Sequence, residues 1–161
     1  MIAALLAALV IAPPAELPHD PGWQVRTAWI PVLSCPRCVL ADAWAATVPY
    51  LDKPNDFPQK TMAKLGPADV IVQVNRSWQP SMPPSMFKRH PLRILRKEIH
   101  ASFEGNPTHG RASLWGTSTW RNGSFVTVYV FFGSPNPAPP VIARAQRELD
   151  RTRFAPWSIK R

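Results

Sequence analysis

An Asn-Gly dipeptide at positions 122 and 123 lies between two runs of aromatic and β-branched residues, over residues 114–120 and 125–132. Asparagine and glycine tolerate the left-handed backbone conformation that both central positions of a type I′ turn require. The two runs therefore predict a β-hairpin in which Trp120 lies opposite Phe125. Because the second run is apolar on both sides, we expect it to form an interior strand of a larger sheet.

Three further segments carry strand patterns, and one segment after the hairpin carries a helix pattern. The strands are predicted over residues 24–33, 70–74 and 99–103, and the helix over residues 141–153. Ile142, Ala145 and Leu149 form an apolar stripe on that helix, whereas Glu148 is expected to face solvent. The sequence thus predicts the α+β class: an antiparallel β-sheet with a C-terminal helix packed on it and few other short helices.

The first 21 residues differ in composition from the rest of the chain. Residues 1–12 are almost wholly apolar, too short to span a bilayer and typical of the hydrophobic region of a secretory signal, although no basic residue precedes them. Residues 13–21 have the proline-rich composition of a linker. We therefore expect an extracytoplasmic or secreted protein without a transmembrane span, in which residues 22–161 form a single domain.

Positive charge is concentrated in the second half of the chain. Residues 76–161 contain fourteen Lys/Arg and four Asp/Glu, whereas residues 1–75 contain five and six. The densest stretch, called the basic patch below, consists of Lys88, Arg89, Arg93, Arg96 and Lys97. Such a patch is either a solvated face or a contact surface for an anionic partner. Because the chain lacks a helix-turn-helix pattern, an RNA-recognition aromatic motif and a Gly-rich phosphate loop, nucleic-acid or polyanion binding is an alternative interpretation.

Cys35 and Cys38 form a CxxC pair between the predicted first strand and residues 39–46, for which a short helix is predicted. Strand, CxxC and helix follow one another in thioredoxin-type redox sites, where the helix N-terminus lowers the pKa of the first thiol. The chain lacks the crossover strand and facing proline loop of that fold at the required spacing. The cysteines could therefore form a structural disulfide, two inert thiols or a redox-active pair. Neither a metal nor another cofactor is expected.

Three segments of the second half carry a resemblance to known proteins. Residues 103–107, 130–133 and 143–150 are similar to the C-terminal half of uncharacterised exported proteins of high-GC Gram-positive bacteria, and Trp23, the cysteine pair and residues 47–49 and 65–74 fit their first half. The architecture also resembles PsbP/Mog1-like domains. Both resemblances imply a non-enzymatic accessory or binding role. The chain departs from an exported lipoprotein in lacking a basic start and a lipobox cysteine.

These observations lead to one leading hypothesis and two alternatives. The leading hypothesis is an exported, non-catalytic domain that binds an envelope or extracellular partner through the basic patch. The alternatives are a thiol-disulfide oxidoreductase that uses Cys35 and Cys38, and a protein that binds nucleic acid or another polyanion.

The intact mass of the protein produced by a native-like host tests export and thiol state together. After alkylation with and without prior reduction, we expect a trimmed N-terminus and two cysteines that react only once reduced. An untrimmed cytosolic protein with both thiols free would contradict the export hypothesis and favour the nucleic-acid alternative.

Overall fold

The computed structural model describes residues 15, 17, 21–31, 39–53, 56–78, 91–103, 106–107 and 111–154. These residues form seven strands, two α-helices and a 3-10 helix over Arg96–Glu98. In chain order the strands and α-helices are β1 (Gln24–Pro31), β2 (Val39–Ala46), α1 (Gln59–Met62), β3 (Val70–Trp78), β4 (Ser102–Phe103), β5 (Asn106–Pro107), β6 (Ser113–Arg121), β7 (Ser124–Phe132) and α2 (Pro139–Arg151).

Five of the strands form one sheet in the order β1-β2-β3-β7-β6, and every neighbouring pair is antiparallel. The predicted α+β class, with an antiparallel sheet and a C-terminal helix packed on it, is confirmed. β7 lies between β3 and β6, as its apolar residues on both sides predict. The sheet therefore joins an N-terminal meander to a C-terminal hairpin.

The turn between β6 and β7 has the predicted conformation and register. Asn122 and Gly123 have φ values of 45° and 83°, the left-handed region that a type I′ turn requires. Trp120 pairs with Phe125, as predicted. The turn thus fixes which side chains of the hairpin face each side of the sheet.

One face of the sheet packs against α2. Even-numbered side chains of β3 and β7 face the helix together with odd-numbered side chains of β2 and β6. The buried members of this helix-side core from the sheet are Ala43, Ala45, Val70, Val72, Val74, Trp115, Val126, Val128, Val130 and Phe132. Each buried valine or larger apolar side chain contributes roughly 1.5–3 kcal/mol to folding, so this layer is a large part of the stability.

The opposite face carries a second, smaller core around α1. Trp44, Ile71, Leu114 and Phe131 are buried there and pack with Met62 of α1. α1 is a single turn, in keeping with the few short helices that the sequence predicts. Both faces of the central strands are therefore covered.

Pairing on both edges explains why β2 is a strand where a short helix is predicted. Alanine favours helix in isolation, and residues 39–46 are rich in it. β2 instead pairs with β1 on one edge and β3 on the other, so its backbone groups are satisfied in the sheet. Ala43 and Ala45 are fully buried on the helix side. The predicted helix is wrong because tertiary pairing outweighs local propensity.

The strand predicted over residues 99–103 is not a member of the five-stranded sheet. His100 makes an isolated bridge to Leu114, and β4 pairs with β5 in a separate two-stranded ladder. β2 is the fifth strand of the sheet instead.

Burial also differs from expectation on α2 and before β1. Glu148, expected to face solvent, is fully buried, because it follows Val141 and Ala145 on the same stripe as Leu149. Ala15 and Leu17, in the stretch with linker composition, are 1% and 4% exposed and belong to the helix-side core.

Gly133, directly after β7, packs against the backbone of Gly66. A Cβ atom at position 133 would lie 2.0 Å from the Gly66 carbonyl oxygen, a distance that requires the backbone to move. We expect Gly133→Ala to lower the free energy of unfolding by at least about 2 kcal/mol. Urea unfolding followed by tryptophan fluorescence measures this change.

Gly116→Ala is the matched control for that measurement. Its Cβ would meet the Tyr129 ring at 3.1 Å, and a side chain can shift where a backbone cannot. We expect the control to stay within about 1 kcal/mol of the wild type. Equal losses for the two variants would contradict the close approach of Gly66 and Gly133.

Candidate functional site

The structure describes part of the predicted basic patch and neither member of the predicted cysteine pair. Cys35 and Cys38 lie outside the described residues, as do Lys88 and Arg89. The remaining members of the basic patch, Arg93, Arg96 and Lys97, are all exposed. They lie on or next to an extended segment, residues 91–95, and the 3-10 helix that follows it.

β2 changes the surroundings expected for the cysteine pair. A thioredoxin-type site needs a helix that begins at the CxxC motif, because its N-terminus lowers the pKa of the attacking thiol. Residues 39–46 form β2, which pairs antiparallel with β1. This strand therefore supplies no helix N-terminus to Cys35 or Cys38, and the redox alternative stays a prediction.

An open groove of about 850 Å³ runs between residues 91–96 and α2. We call it the arginine groove, because three arginines line it above an apolar floor. The arginines are Arg93, Arg96 and Arg121. The apolar lining residues are Pro91, Leu92, Ile94, Pro139, Ile142, Ala143, Leu149 and Phe154. Its volume lies within the range of ligand sites in proteins.

The side-chain amide of Gln146 joins the two walls of the groove. Its Oε1 accepts a hydrogen bond of 2.8 Å from the Ile94 N–H, and its Nε2 donates to the Leu92 carbonyl at 2.9 Å. Nε2 also donates to Asp150 Oδ1 at 2.7 Å. One side chain thus satisfies the Ile94 N–H and the Leu92 carbonyl, and it fixes the extended segment against α2.

The two ends of the groove are fixed by separate contacts. At one end, Arg96 Nη2 donates to Asn136 Oδ1, three residues before α2 begins. At the other end, Asn122 Nδ2 donates to the carbonyl of Phe154, which lies three residues after the end of α2. This contact brings the hairpin turn, and with it Arg121, to the C-terminal end of the helix. The arginine groove therefore extends along the whole length of α2.

Electrostatics in the groove are dominated by the arginines. Asp150 is the sole carboxylate among the described lining residues, and it already accepts the hydrogen bond from Gln146. Arg93 and Arg96 are exposed, so their charge is available at the groove surface. The net field favours an anion that also offers apolar surface to the floor.

The sequence locates half of this site. Arg93 and Arg96 are predicted contact residues, and the structure brings both to the groove. Arg121 and Gln146 are not predicted, because they reach the segment around Arg93 only through the packing of α2 on the sheet. The Asn-Gly turn places Arg121 at a strand end, but no pattern in the chain pairs that end with α2.

A second polar cluster lies on the opposite face of the sheet, around Tyr50. The Tyr50 ring is 8% exposed and stacks on Trp44 with centroids 3.7 Å apart. Burial, followed by the negative charges of Asp42, Asp52 and Asp56, raises the pKa of the phenol above its ordinary value. Its hydroxyl group is buried without a hydrogen-bond partner in the described part of the chain.

Two of the aspartates near Tyr50 accept hydrogen bonds from other parts of the fold. Asp52 accepts hydrogen bonds from the backbone N–H groups of Lys60 and Thr61 at 3.1 and 2.9 Å and so caps α1. Asp42 is fully buried and accepts hydrogen bonds from Gln73 Nε2 at 3.3 and 3.4 Å. Within the described residues, no three His, Cys, Asp or Glu side chains are arranged to hold a metal ion.

Comparisons with known proteins leave the geometry as the basis for function. No protein-family model, curated protein or solved structure matches the chain. The resemblance to exported proteins and to PsbP/Mog1-like domains therefore stays a prediction. In the part of the chain that the structure describes, no helix is both long enough and apolar enough to cross a membrane.

Tyr50→Phe tests the environment of the buried phenol. Because the hydroxyl has no partner in the described structure, we expect the free energy of unfolding at neutral pH to change by less than about 1 kcal/mol. Above the ordinary tyrosine pKa of about 10, the unfolded phenol loses its proton while the folded one keeps it, which favours unfolding. The wild type should therefore lose more stability than the variant as the pH rises past about 10.

Urea unfolding of both proteins between neutral pH and about pH 11 measures this difference. A loss of several kcal/mol in Tyr50→Phe at neutral pH, or parallel curves for the two proteins at high pH, would contradict the buried, neutral phenol.

Proposed function

We propose that this chain is an exported, non-catalytic domain that binds an anionic envelope or extracellular partner, with the arginine groove as its contact surface. The observation that carries the proposal is the position of Arg93 and Arg96. Both are exposed, and both line an open groove whose other lining residues are mostly apolar. Cations that serve solubility alone do not need an apolar floor beside them.

The physical chemistry of the groove favours binding. A guanidinium group forms two parallel hydrogen bonds to a carboxylate or phosphate, and these bonds are stronger than neutral ones. Water is partly displaced where the ligand covers Leu92, Ile142 and Phe154, so the same charge pairs are screened less than on an open surface. Apolar contact and charge thus act on one ligand.

The polar groups of the groove support binding rather than catalysis. General acid–base chemistry needs a titratable group held near the reacting atoms. Asp150 is hydrogen-bonded to Gln146, whose amide also holds the extended segment. The arginines and apolar side chains of the groove are groups that can recognise a ligand.

Export is the part of the proposal that comes from the sequence. The apolar residues 1–12 predict a secretory signal. Ala15 and Leu17, just beyond that stretch, are buried in the helix-side core and so belong to the folded domain. Secretion would bring the arginine groove to polymers and proteins of the cell envelope.

A charge-reversal experiment tests the groove as the contact surface. We expect Arg93→Glu combined with Arg96→Glu to weaken binding of the full chain to washed envelopes of its host by at least about tenfold. The control combines Arg111→Glu with Arg147→Glu, which changes the net charge equally at exposed positions outside the groove. Co-sedimentation at several salt concentrations measures binding.

Two results would contradict the proposal. Equal losses in the groove variant and the control would show that generic charge, rather than the groove, holds the protein to the envelope. If binding to DNA, heparin and anionic vesicles then fell together with salt, the polyanion alternative would account for the data. Unchanged binding in the groove variant would exclude the groove as the contact surface.

A further inference from the structure

The three arginines of the arginine groove differ in how far they are already engaged. Arg96 donates a hydrogen bond to Asn136, and Arg121 takes part in another interaction within the protein. Arg93 is exposed, and in the part of the chain that the structure describes it makes no hydrogen bond, ion pair or ring contact. The groove therefore presents one unengaged guanidinium group, which matches a ligand with a single anionic group.

The backbone on both sides of Arg93 is held in place. The Ile94 N–H donates to Gln146 Oε1 at 2.8 Å, and the Leu92 carbonyl accepts from Gln146 Nε2 at 2.9 Å. Arg93 lies between these two anchored groups, so a ligand that binds it has to order the arginine side chain alone. A smaller loss of entropy on binding favours affinity.

Apolar surface borders Arg93 on both walls of the groove. Its neighbours Leu92 and Ile94 line one wall, and Ile142 and Ala143 line the other. The groove volume of about 850 Å³ is far larger than a single carboxylate, so a ligand that fills it carries a larger group beside its charge. Charge and lining together are complementary to an amphiphile with one anionic head group and an aliphatic chain.

The hydrogen bonds of Gln146 favour an aliphatic chain over an extended peptide. The Leu92 carbonyl and the Ile94 N–H are already bonded, and the interior backbone groups of α2 are bonded within the helix. A peptide in the groove could pair its own N–H and C=O groups with none of these, and polar groups that are buried without partners are costly. An aliphatic chain has no such groups to satisfy.

The single unengaged arginine also disfavours nucleic acid as the ligand. Affinity for nucleic acid comes largely from cations that neutralise several phosphates at once. A phosphate monoester carries up to about two negative charges, whereas a carboxylate carries one and accepts two parallel hydrogen bonds from a guanidinium group. A carboxylate therefore matches Arg93 in both charge and geometry.

We propose that the arginine groove binds a long-chain fatty acid, whose carboxylate pairs with Arg93 while its chain lies against the apolar walls. The inference deepens the proposed function and rests on it, because it names the chemistry of the anionic partner that the same groove binds.

The probes are hexanoate, octanoate, decanoate and dodecanoate, titrated calorimetrically into the full chain at neutral pH and below their micelle concentrations. Each addition of two carbons should strengthen binding about fourfold, because an open groove covers part of every CH₂ group. Decyltrimethylammonium has a chain of similar length to decanoate and a head group of opposite charge. We expect it to bind at least about tenfold more weakly than decanoate.

Three variants each lower the net charge by one, and two of them lie in the groove. Arg93→Gln removes the unengaged cation, and Ala143→Glu adds a carboxylate to the α2 wall, so each should weaken decanoate binding at least about fivefold. Arg147→Gln is the matched control outside the groove and should bind within about twofold of the wild type. All three positions are exposed, and thermal unfolding of each variant checks that the fold is kept.

Four results would overturn the fatty-acid ligand. Equal losses in Arg93→Gln and Arg147→Gln would assign binding to generic charge, and equal binding of decanoate and decyltrimethylammonium would remove the role of the carboxylate. Affinity that does not change with chain length would exclude the apolar walls as the chain site. Tighter binding of a capped leucine peptide with one central glutamate would favour a peptide ligand.

The failure of this inference differs from the failure of the proposed function. If envelope binding depends on Arg93 and Arg96 but none of the fatty acids binds, the fatty-acid inference alone fails. If envelope binding does not depend on these two arginines, the proposed function itself fails.

Discussion

The antiparallel pairing of β3 with β7 is the constraint on which the rest of the structure depends. It joins the N-terminal meander to the C-terminal hairpin and runs from Val70 opposite Phe132 to Ser77 opposite Phe125. Side chains of a strand alternate between the faces, so this one register sends four even-numbered side chains of β7 toward α2. A slip of β3 by one residue would place Gln73 where Val72 or Val74 packs against the helix.

The site follows from that packing rather than from the loops alone. Because α2 packs on the apolar face of the sheet, another side of the helix forms one wall of the arginine groove. Gln146 then holds residues 92–94 as the second wall through two hydrogen bonds to the backbone of that segment. A segment with few regular backbone pairs becomes an ordered surface, because a helix side chain supplies the partners that a sheet edge normally supplies. The basic residues on it acquire fixed positions as a consequence.

Elements that local chemistry determines could be predicted, and elements that depend on distant partners could not. Asn122 and Gly123 determine the hairpin, and the period of the apolar residues determines α2, so both follow from the sequence. β2 does not, because its alanines favour helix until β1 and β3 supply partners on both edges. The same limit divides the site. Arg93 and Arg96 can be predicted because they belong to a dense basic stretch of the sequence. Arg121 and Gln146 belong to the groove only through tertiary packing.

The position of each arginine, rather than the net charge of +9, decides what its charge can do. Arg76 is 1% exposed in the sheet, where its Nε donates to Ser124 Oγ at 2.9 Å and its guanidinium lies 5.9 Å from the centre of the Phe154 ring. Burial lowers the pKa of Arg76 to about 10, so the side chain remains a cation at neutral pH. Its charge interacts with groups inside the protein rather than with a ligand at the surface. Arg93 carries the same charge at an exposed position on the rim of the groove. Phe154 links the two environments, because its ring lies near Arg76 and the residue also lines the groove.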